Sequence, residues 1–287
     1  MGKVRFWISV VFAVSVILFT GYFIKTKMVE DNKPPVITCE EDEIVVSVAD
    51  GQEALLEGIK VEDNRDGDLT DSVRVSSLSH FVNGKRTVKY AVFDKSNNVG
   101  VYERTVTYSD YESPKIYVKE PLRIYTSMSS RIDFEGLYEA QDCLDGDITN
   151  QVRVLSENYY YDLQEGSIDV TLQVNNNAGD VRAIPVELRI IYHDNDEERK
   201  KEYPALSDYI VYTKVGKKIN PSQYLTGLFR GATEYQFDEL GTVTEGDIKI
   251  TSNVDYEKPG VYTVEFSYKA EGAGKAVTKL YVVVEES

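Results

Sequence analysis

Asp63-Asn64-Arg65-Asp66-Gly67-Asp68-Leu69-Thr70-Asp71-Ser72-Val73-Arg74-Val75 decides the fold, because its pattern returns as Asp142-Cys143-Leu144-Asp145-Gly146-Asp147-Ile148-Thr149-Asn150-Gln151-Val152-Arg153-Val154. The chain is modular. An acidic turn followed by alternating apolar residues marks a loop that leads into a strand, since Asp-Gly supports tight turns and a period of two puts Val73 and Val75 on one sheet face.

Working outward from the first copy, Val36-Ile37-Thr38, Ile44 to Val48 and Ile59-Lys60-Val61 read as opening strands. After Gly84, the residues Val88, Tyr90 and Val92 alternate with Thr87, Lys89 and Ala91, the pattern of a half-buried strand. The turn Asp94 to Asn98 then feeds Tyr102 to Tyr108 and completes a hairpin. The second copy follows the same plan from Pro114, with Ile168, Val170, Leu172 and Val174 alternating after Gly166 and Val186, Leu188 and Ile190 closing. Pro185 lacks an N–H and predicts an edge position or a strand's beginning.

A worn third copy aligns Leu240 to Ile250 with the organising stretch after one inserted residue, so that Leu240 and Thr242 stand where the other copies have aspartates. Its strand pattern survives in Tyr262, Val264, Phe266 and Tyr268. All-strand modules with turn signals every ~8–12 residues predict an all-β chain of three tandem β-sandwiches.

Phe6 to Ile24 is an uncharged run of 19 residues, and at ~1.5 Å per residue such a helix nearly crosses a ~30 Å hydrocarbon core. A retained anchor is favoured over a cleaved signal peptide, because the run exceeds a usual h-region and no small-x-small cleavage site follows it. Lys3 and Arg5 on one side nearly balance Lys25 and Lys27 on the other, which leaves a lean to a cytoplasmic N-terminus with the C-terminal domains outside the cell.

The expected layout is a tail at 1–5, a transmembrane anchor at 6–24, a spacer at 25–33, sandwiches at 34–109 and 113–192, a charged linker at 193–202 and a divergent sandwich at 203–287. The run His193 to Glu202 reads as a solvated linker or one exposed helical turn. Ser109 to Ser113 is short enough for the first two modules to stack end to end.

With 48 acidic against 32 basic residues the net charge is -16, which repels phosphate backbones and argues against nucleic acid as partner. The cysteines, Cys39 and Cys143, fall in different modules and frame no disulfide within one; His80 and His193 have no ligand-like spacing for zinc.

These stretches are similar to the bacterial immunoglobulin-like repeats of the pesticidal-crystal-protein type, related to hyalin-repeat domains. The carrying residues are VEDNRDGDLTDSVRV at 61–75, GKRTVKYAVFDKSNNVG at 84–100 and AQDCLDGDITNQVRV at 140–154; the copy at 203–287 keeps only the strand pattern. The resemblance implies immunoglobulin-like sandwiches of the kind found in bacterial surface proteins as spacers, adhesive modules or companions of catalytic domains. It supports fold far more than activity.

Two readings of the acidic clusters stand side by side. Asp63, Asp66 and Asp68, with Asp142, Asp145 and Asp147, present oxygens suited to calcium, or they accept backbone N–H bonds that shape the turn while Gly67 and Gly146 take positive φ. EF-hand spacing fails, since Val73 falls where the bidentate glutamate belongs. Repetition of the cluster argues against an acid–base pair, and no nucleophile elbow or phosphate loop is present, so no catalytic residues are assigned and no enzyme is expected. The run Asn158-Tyr159-Tyr160-Tyr161, in a chain with 21 tyrosines, makes Tyr159 and Tyr161 candidates for a binding surface, with inward-packed core as the alternative.

The resulting expectation is a membrane protein attached by its N-terminal helix, whose ectodomain is a stalk or binds a protein or glycan at the cell surface. An accessory subunit docked on a cell-envelope enzyme or secretion assembly is the alternative, and a carbohydrate-binding module a weaker one.

Overall fold

Uncharged residues with no covering partner form a helix that stands by itself, and alternating residues behind it form sheets that face one another. The computed structural model describes residues 2–29, 31–82, 84–126, 136–156 and 165–286. Helix α1 (Gly2–Val29) carries the apolar run, and Phe12, Ile17 and Phe19 on it are exposed. The stretch expected as a spacer is divided: the helix continues to Val29, and Asp31 is already buried.

Behind the helix lie three immunoglobulin-like β-sandwiches of one topology. The first contains β1 (Val36–Cys39), β2 (Glu43–Val46), β3 (Ile59–Asp63), β4 (Gly67–Asp68), β5 (Arg74–Leu78), β6 (Lys85–Phe93) and β7 (Val99–Tyr108). The second contains β8 (Lys115–Tyr117), β9 (Arg123–Thr126), β10 (Glu139–Asp142), β11 (Gly146–Asp147), β12 (Arg153–Leu155), β13 (Gly166–Asn175) and β14 (Val181–Tyr192). After a short helix α2 (Asp196–Arg199), the third contains β15 (Glu202–Leu206), β16 (Ile210–Lys214), β17 (Leu225–Arg230), β18 (Thr233–Gln236), β19 (Lys249–Ser252), β20 (Gly260–Tyr268) and β21 (Ala276–Glu285).

In each sandwich a three-stranded sheet faces a four-stranded one, ordered β1-β3-β4 with β2-β7-β6-β5, β8-β10-β11 with β9-β14-β13-β12, and β15-β17-β18 with β16-β21-β20-β19. The second strand of every module pairs parallel with the last, as in β2 with β7, β9 with β14 and β16 with β21. Three copies of one topology follow from three copies of one strand pattern. Val88, Tyr90 and Val92 lie inside as their alternation predicts, and the buried Tyr90 hydroxyl donates to the Leu55 carbonyl.

The third module departs from its sequence alignment. The turn that corresponds to Asp63–Gly67 is the β17–β18 hairpin over Gly231, whose φ is 63°, whereas Leu240 lies further along and is buried. A two-residue hairpin over glycine needs no carboxylate to hold it, so the aspartates are dispensable there. Pro185 sits within β14 opposite Thr171, in the half of that strand that β9 does not reach, so its missing N–H costs no ladder bond.

The chain forms two compact units, residues 1–111 and 112–287. Unit one has its own core, centred on Ile37, Val61, Val88, Tyr90 and Val106. In unit two the second and third sandwiches share one core that runs from Ile116 to Val284. Polar contacts stitch the two sandwiches as well. The Ile116 N–H donates to the Tyr212 hydroxyl at 2.7 Å, and that hydroxyl donates to the Ile116 carbonyl at 2.9 Å, so one side chain satisfies both backbone groups of a buried residue. Tyr209 N–H donates to the Val118 carbonyl at 2.8 Å, and the Glu187 N–H to the Tyr281 hydroxyl at 2.6 Å.

Tyr212→Phe leaves both Ile116 groups without that partner, and each buried unsatisfied group costs about 1–3 kcal/mol. The expected outcome is a lower melting temperature for the transition of residues 112–287 with the transition of residues 1–111 unmoved, checked by calorimetry.

Candidate functional site

The acidic turns are built alike. In the first, Asp63 Oδ1 accepts the N–H groups of Arg65 and Asp66, both at 2.8 Å, Gly67 takes a φ of 74°, and Asp68 Oδ1 accepts the Thr70 N–H at 2.9 Å. In the second, Asp142 Oδ1 accepts from Leu144 and Asp145 at 2.9 and 3.0 Å, Gly146 has a φ of 72°, and Asp147 Oδ1 accepts from Thr149 at 2.9 Å. Thr70 and Thr149 fix the turn to the preceding strand by accepting the N–H groups of Val61 and Ala140.

These bonds favour the ionised carboxyls. The Asp66 and Arg65 N–H groups hold Asp63 below its usual range, Lys95 does so for Asp66, and Thr70 and Thr149 do so for Asp68 and Asp147.

The six aspartates do not gather around one point. Asp66 turns to the Lys95 backbone and ammonium, Asp145 Oδ2 accepts the Asn177 N–H at 2.6 Å, and Asp68 and Asp147 lie on the outer side of their turns. Asp63 is drawn instead into a cluster whose other members the sequence reading did not name. One carboxylate oxygen each from Asp31, Asp63 and Asp94 lie within 4.8 Å of one another, and all three residues are buried. Asp31 comes from the segment after α1, Asp63 from the end of β3 and Asp94 from the β6–β7 loop, so sheet topology rather than local spacing assembles them.

The segment that brings Asp31 is held on several sides. Asn98 Nδ2 donates to the Asp31 carbonyl at 3.1 Å, Lys33 N–H donates to Asp31 Oδ1 at 3.1 Å, and the Arg65 Nε stands 3.7 Å from Asp31 Oδ2. Gly100 is required beneath it, because a Cβ there would lie 2.3 Å from the Pro35 carbonyl oxygen. Asp94 accepts the N–H groups of Ser96 and Asn98 through Oδ1 and the Asn98 amide through Oδ2.

A second feature lies in unit two, where Arg123, Arg189, Lys201, Tyr203, Lys275 and Lys279 line a cleft of about 140 Å³. The Arg123 guanidinium sits 4.1 Å from the Tyr203 ring centroid and 5.2 Å from that of Phe229, a cation–π arrangement. At its rim Glu198, within the run read as a charged linker, is buried and accepts from Arg189, Lys201 and the Tyr203 hydroxyl. Charge density alone hides such a residue, since among the described residues Glu198 finds three donors where Glu197 and Glu202 each accept from a single cation. Tyr159 and Tyr161 lie outside the described residues.

No family model matches the chain, and no curated protein matches it. Solved structures that resemble it include the CBM51-2 and INT domains of Clostridium perfringens ZmpB in complex with GlcNAc, at 24% identity over 50% of this chain and 29% of that one, with a TM-score of 0.21. This chain thus spans under a third of that structure's length. A lipoprotein of Bacteroides thetaiotaomicron matches at 12% identity over 86% of this chain and 98% of its own, TM-score 0.20. Mouse cadherin-23 EC22–24 matches at 12% identity over 89% and 100%, TM-score 0.23. Scores this low carry no argument about ligand or partner.

Burial pushes the Glu198 carboxyl up, but the bonds from Lys201, Tyr203 and Arg189 outweigh it and leave it lowered to about 2 against an ordinary 4.5. A depressed carboxyl contributes stability that is fully present above pH 4.5 and lost as pH falls toward 2. The melting temperature of residues 112–287 is expected to fall over that window, and Glu198→Gln to lower it at neutral pH and flatten its acid limb, as read by calorimetry across a pH series.

Proposed function

We propose that this chain is a non-catalytic, membrane-anchored ectodomain protein whose immunoglobulin-like sandwiches stand outside the cell and bind a protein or glycan there. The observation that carries the reading is α1: Gly2–Lys25 is long and apolar enough to span a bilayer, and none of it is covered by the rest of the described chain. Water does not leave Phe12, Ile17, Leu18 and Phe19 uncovered on one helix, whereas hydrocarbon solvates them. A 28-residue helix is about 42 Å long, enough to cross with its polar end outside the core. The retained anchor and cytoplasmic N-terminus belong to this proposal, as does membership of the pesticidal-crystal-type repeat family, which rests on the acidic-turn and hairpin motifs.

A binding role has support in unit one. Phe93 pairs with Val99 across the β6–β7 hairpin, Val101 follows on the same face, and all three are exposed, with Phe93 60% open. Apolar side chains grouped on an outer sheet face are a common mark of a contact surface. The accessory-subunit reading shares the anchor and differs in where that face is covered: by a membrane partner in its own cell rather than by a surface beyond it.

Fractionation with alkaline carbonate washing is expected to leave the chain in the membrane pellet, and protease added to intact cells to remove residues beyond the anchor. Recovery in the soluble fraction with α1 missing overturns the anchor. Phe93→Lys with Val101→Lys is expected to keep the melting temperature and lose most partner crosslinking at the cell surface. A stoichiometric crosslink to one membrane protein identifies the accessory subunit.

A further inference from the structure

We infer that Asp31, Asp63 and Asp94 form a calcium site at the membrane-proximal end of the first sandwich, distinct from the acidic-turn grouping of Asp66 and Asp68. The starting point is an oxygen without a partner. Asp63 is 8% exposed, its Oδ1 is committed to the two turn N–H groups, and its Oδ2 is buried with no hydrogen-bond donor among the described residues. A buried carboxylate oxygen left in this state is costly, and its neighbours are two more carboxylates.

The second sandwich shows what this position requires. Asp142 corresponds to Asp63, with the same pair of turn N–H bonds, and Asn176 corresponds to Asp94, since each accepts the N–H of the residue four further on, Asp180 and Asn98 respectively. There the Asn176 amide donates to Asp142 Oδ2 at 3.1 Å and satisfies it. In the first sandwich an acceptor, Asp94, stands where that donor stands, and Asp31 adds a third carboxylate. One module closes the position with an amide; the other opens it to a cation.

Three carboxylates carry three negative charges, and Arg65, 3.7 Å from Asp31 and 43% exposed, offsets about one of them. A divalent ion balances the remainder. Hard oxygen donors select calcium, magnesium or manganese over softer metals. The three oxygens lie within 4.8 Å of one another, close enough for one ion with ~2.4 Å bonds to touch all of them, and calcium tolerates an irregular shell where magnesium demands ~2.1 Å bonds and near-ideal octahedral geometry. The carboxylates can fill several of the 6–8 calcium positions typical of such sites, water taking the rest. Because Asp31 lies two residues past the end of α1, the ion would fasten the incoming chain to the β3 turn and the β6–β7 loop. The alternative, in which protein groups alone hold the three carboxyls, predicts no response to calcium.

The test uses the full chain in detergent after EDTA stripping, at constant ionic strength, by titration calorimetry and thermal melting. Wild type is expected to bind one calcium per chain and to raise the melting temperature of residues 1–111, with magnesium at least about tenfold weaker. Asp94→Asn supplies the donor that Asn176 gives Asp142 but gives up the Asn98 amide bond to Oδ2, so it is expected to fold, to melt in EDTA near the wild-type temperature, and to lose calcium affinity by about tenfold or more. Asp31→Asn tests the third ligand by the same readout, and Asp68→Asn is expected to bind as wild type does. No calcium-dependent shift in wild type at about 5 mM, or undiminished binding in both Asp94→Asn and Asp31→Asn, overturns the assignment.

Discussion

A carboxylate at the end of the third strand does two jobs with its two oxygens. One collects a pair of turn N–H groups, and this fixes the sharp turn that sets β4 against β3 in the first sandwich and β11 against β10 in the second. Gathering those bonds brings the side chain under the loop that joins the sixth and seventh strands, where the other oxygen is buried too. The turn therefore cannot be satisfied by its own residues; it depends on what the distant loop supplies. Asn176 supplies a donor, and Asp94 does not. The third sandwich avoids the requirement, since its β17–β18 hairpin turns on Gly231 and buries no carboxylate there.

Much of the fold was legible because strand alternation is local. Val88, Tyr90 and Val92, and likewise Val170, Leu172 and Val174, announce their buried face within a few residues, and repetition of the pattern announces the modules. The site was not legible in the same way. Asp31, Asp63 and Asp94 stand far apart in sequence and meet only through topology, whereas Asp66 and Asp68 look like companions of Asp63 and turn elsewhere. A signal was present: the two copies match through the acidic turn, yet the later loop reads FDKSN in one and NNNAG in the other. A change from Asp to Asn facing a retained aspartate exchanges an acceptor for a donor, and that change of chemistry was visible without any structure.

The charged run before the third sandwich shows the opposite failure. Its composition describes a solvated segment, and most of its residues are solvated, but Glu198 is held by three donors against the shared region of unit two. Such a residue acts as a latch, since its value depends on partners from β14, the post-helix turn and β15 being in place together. The Tyr212–Ile116 exchange works on the same principle, and the common core from Ile116 to Val284 supplies the apolar backing for both. Sequence alone counts charges and tyrosines; it does not say which of them close a contact between modules.

The β6–β7 loop joins the two features of unit one. Phe93 and Val99, exposed and paired, bracket residues 94–98, and Asp94 within that loop faces Asp31 and Asp63. The loop is already narrowed by Asp94 accepting from Ser96 and Asn98, so the position of the apolar pair and the orientation of the carboxylate are set by one short piece of backbone. A cation that orders Asp94 would lower the entropy cost of presenting Phe93 and Val99 to a partner, and by linkage a partner on that face would tighten the cation by the same factor. No such coupling is expected at the corresponding loop of the second sandwich, because Asn176 is already satisfied by Asp142 and Asp180 and has no ion to wait for.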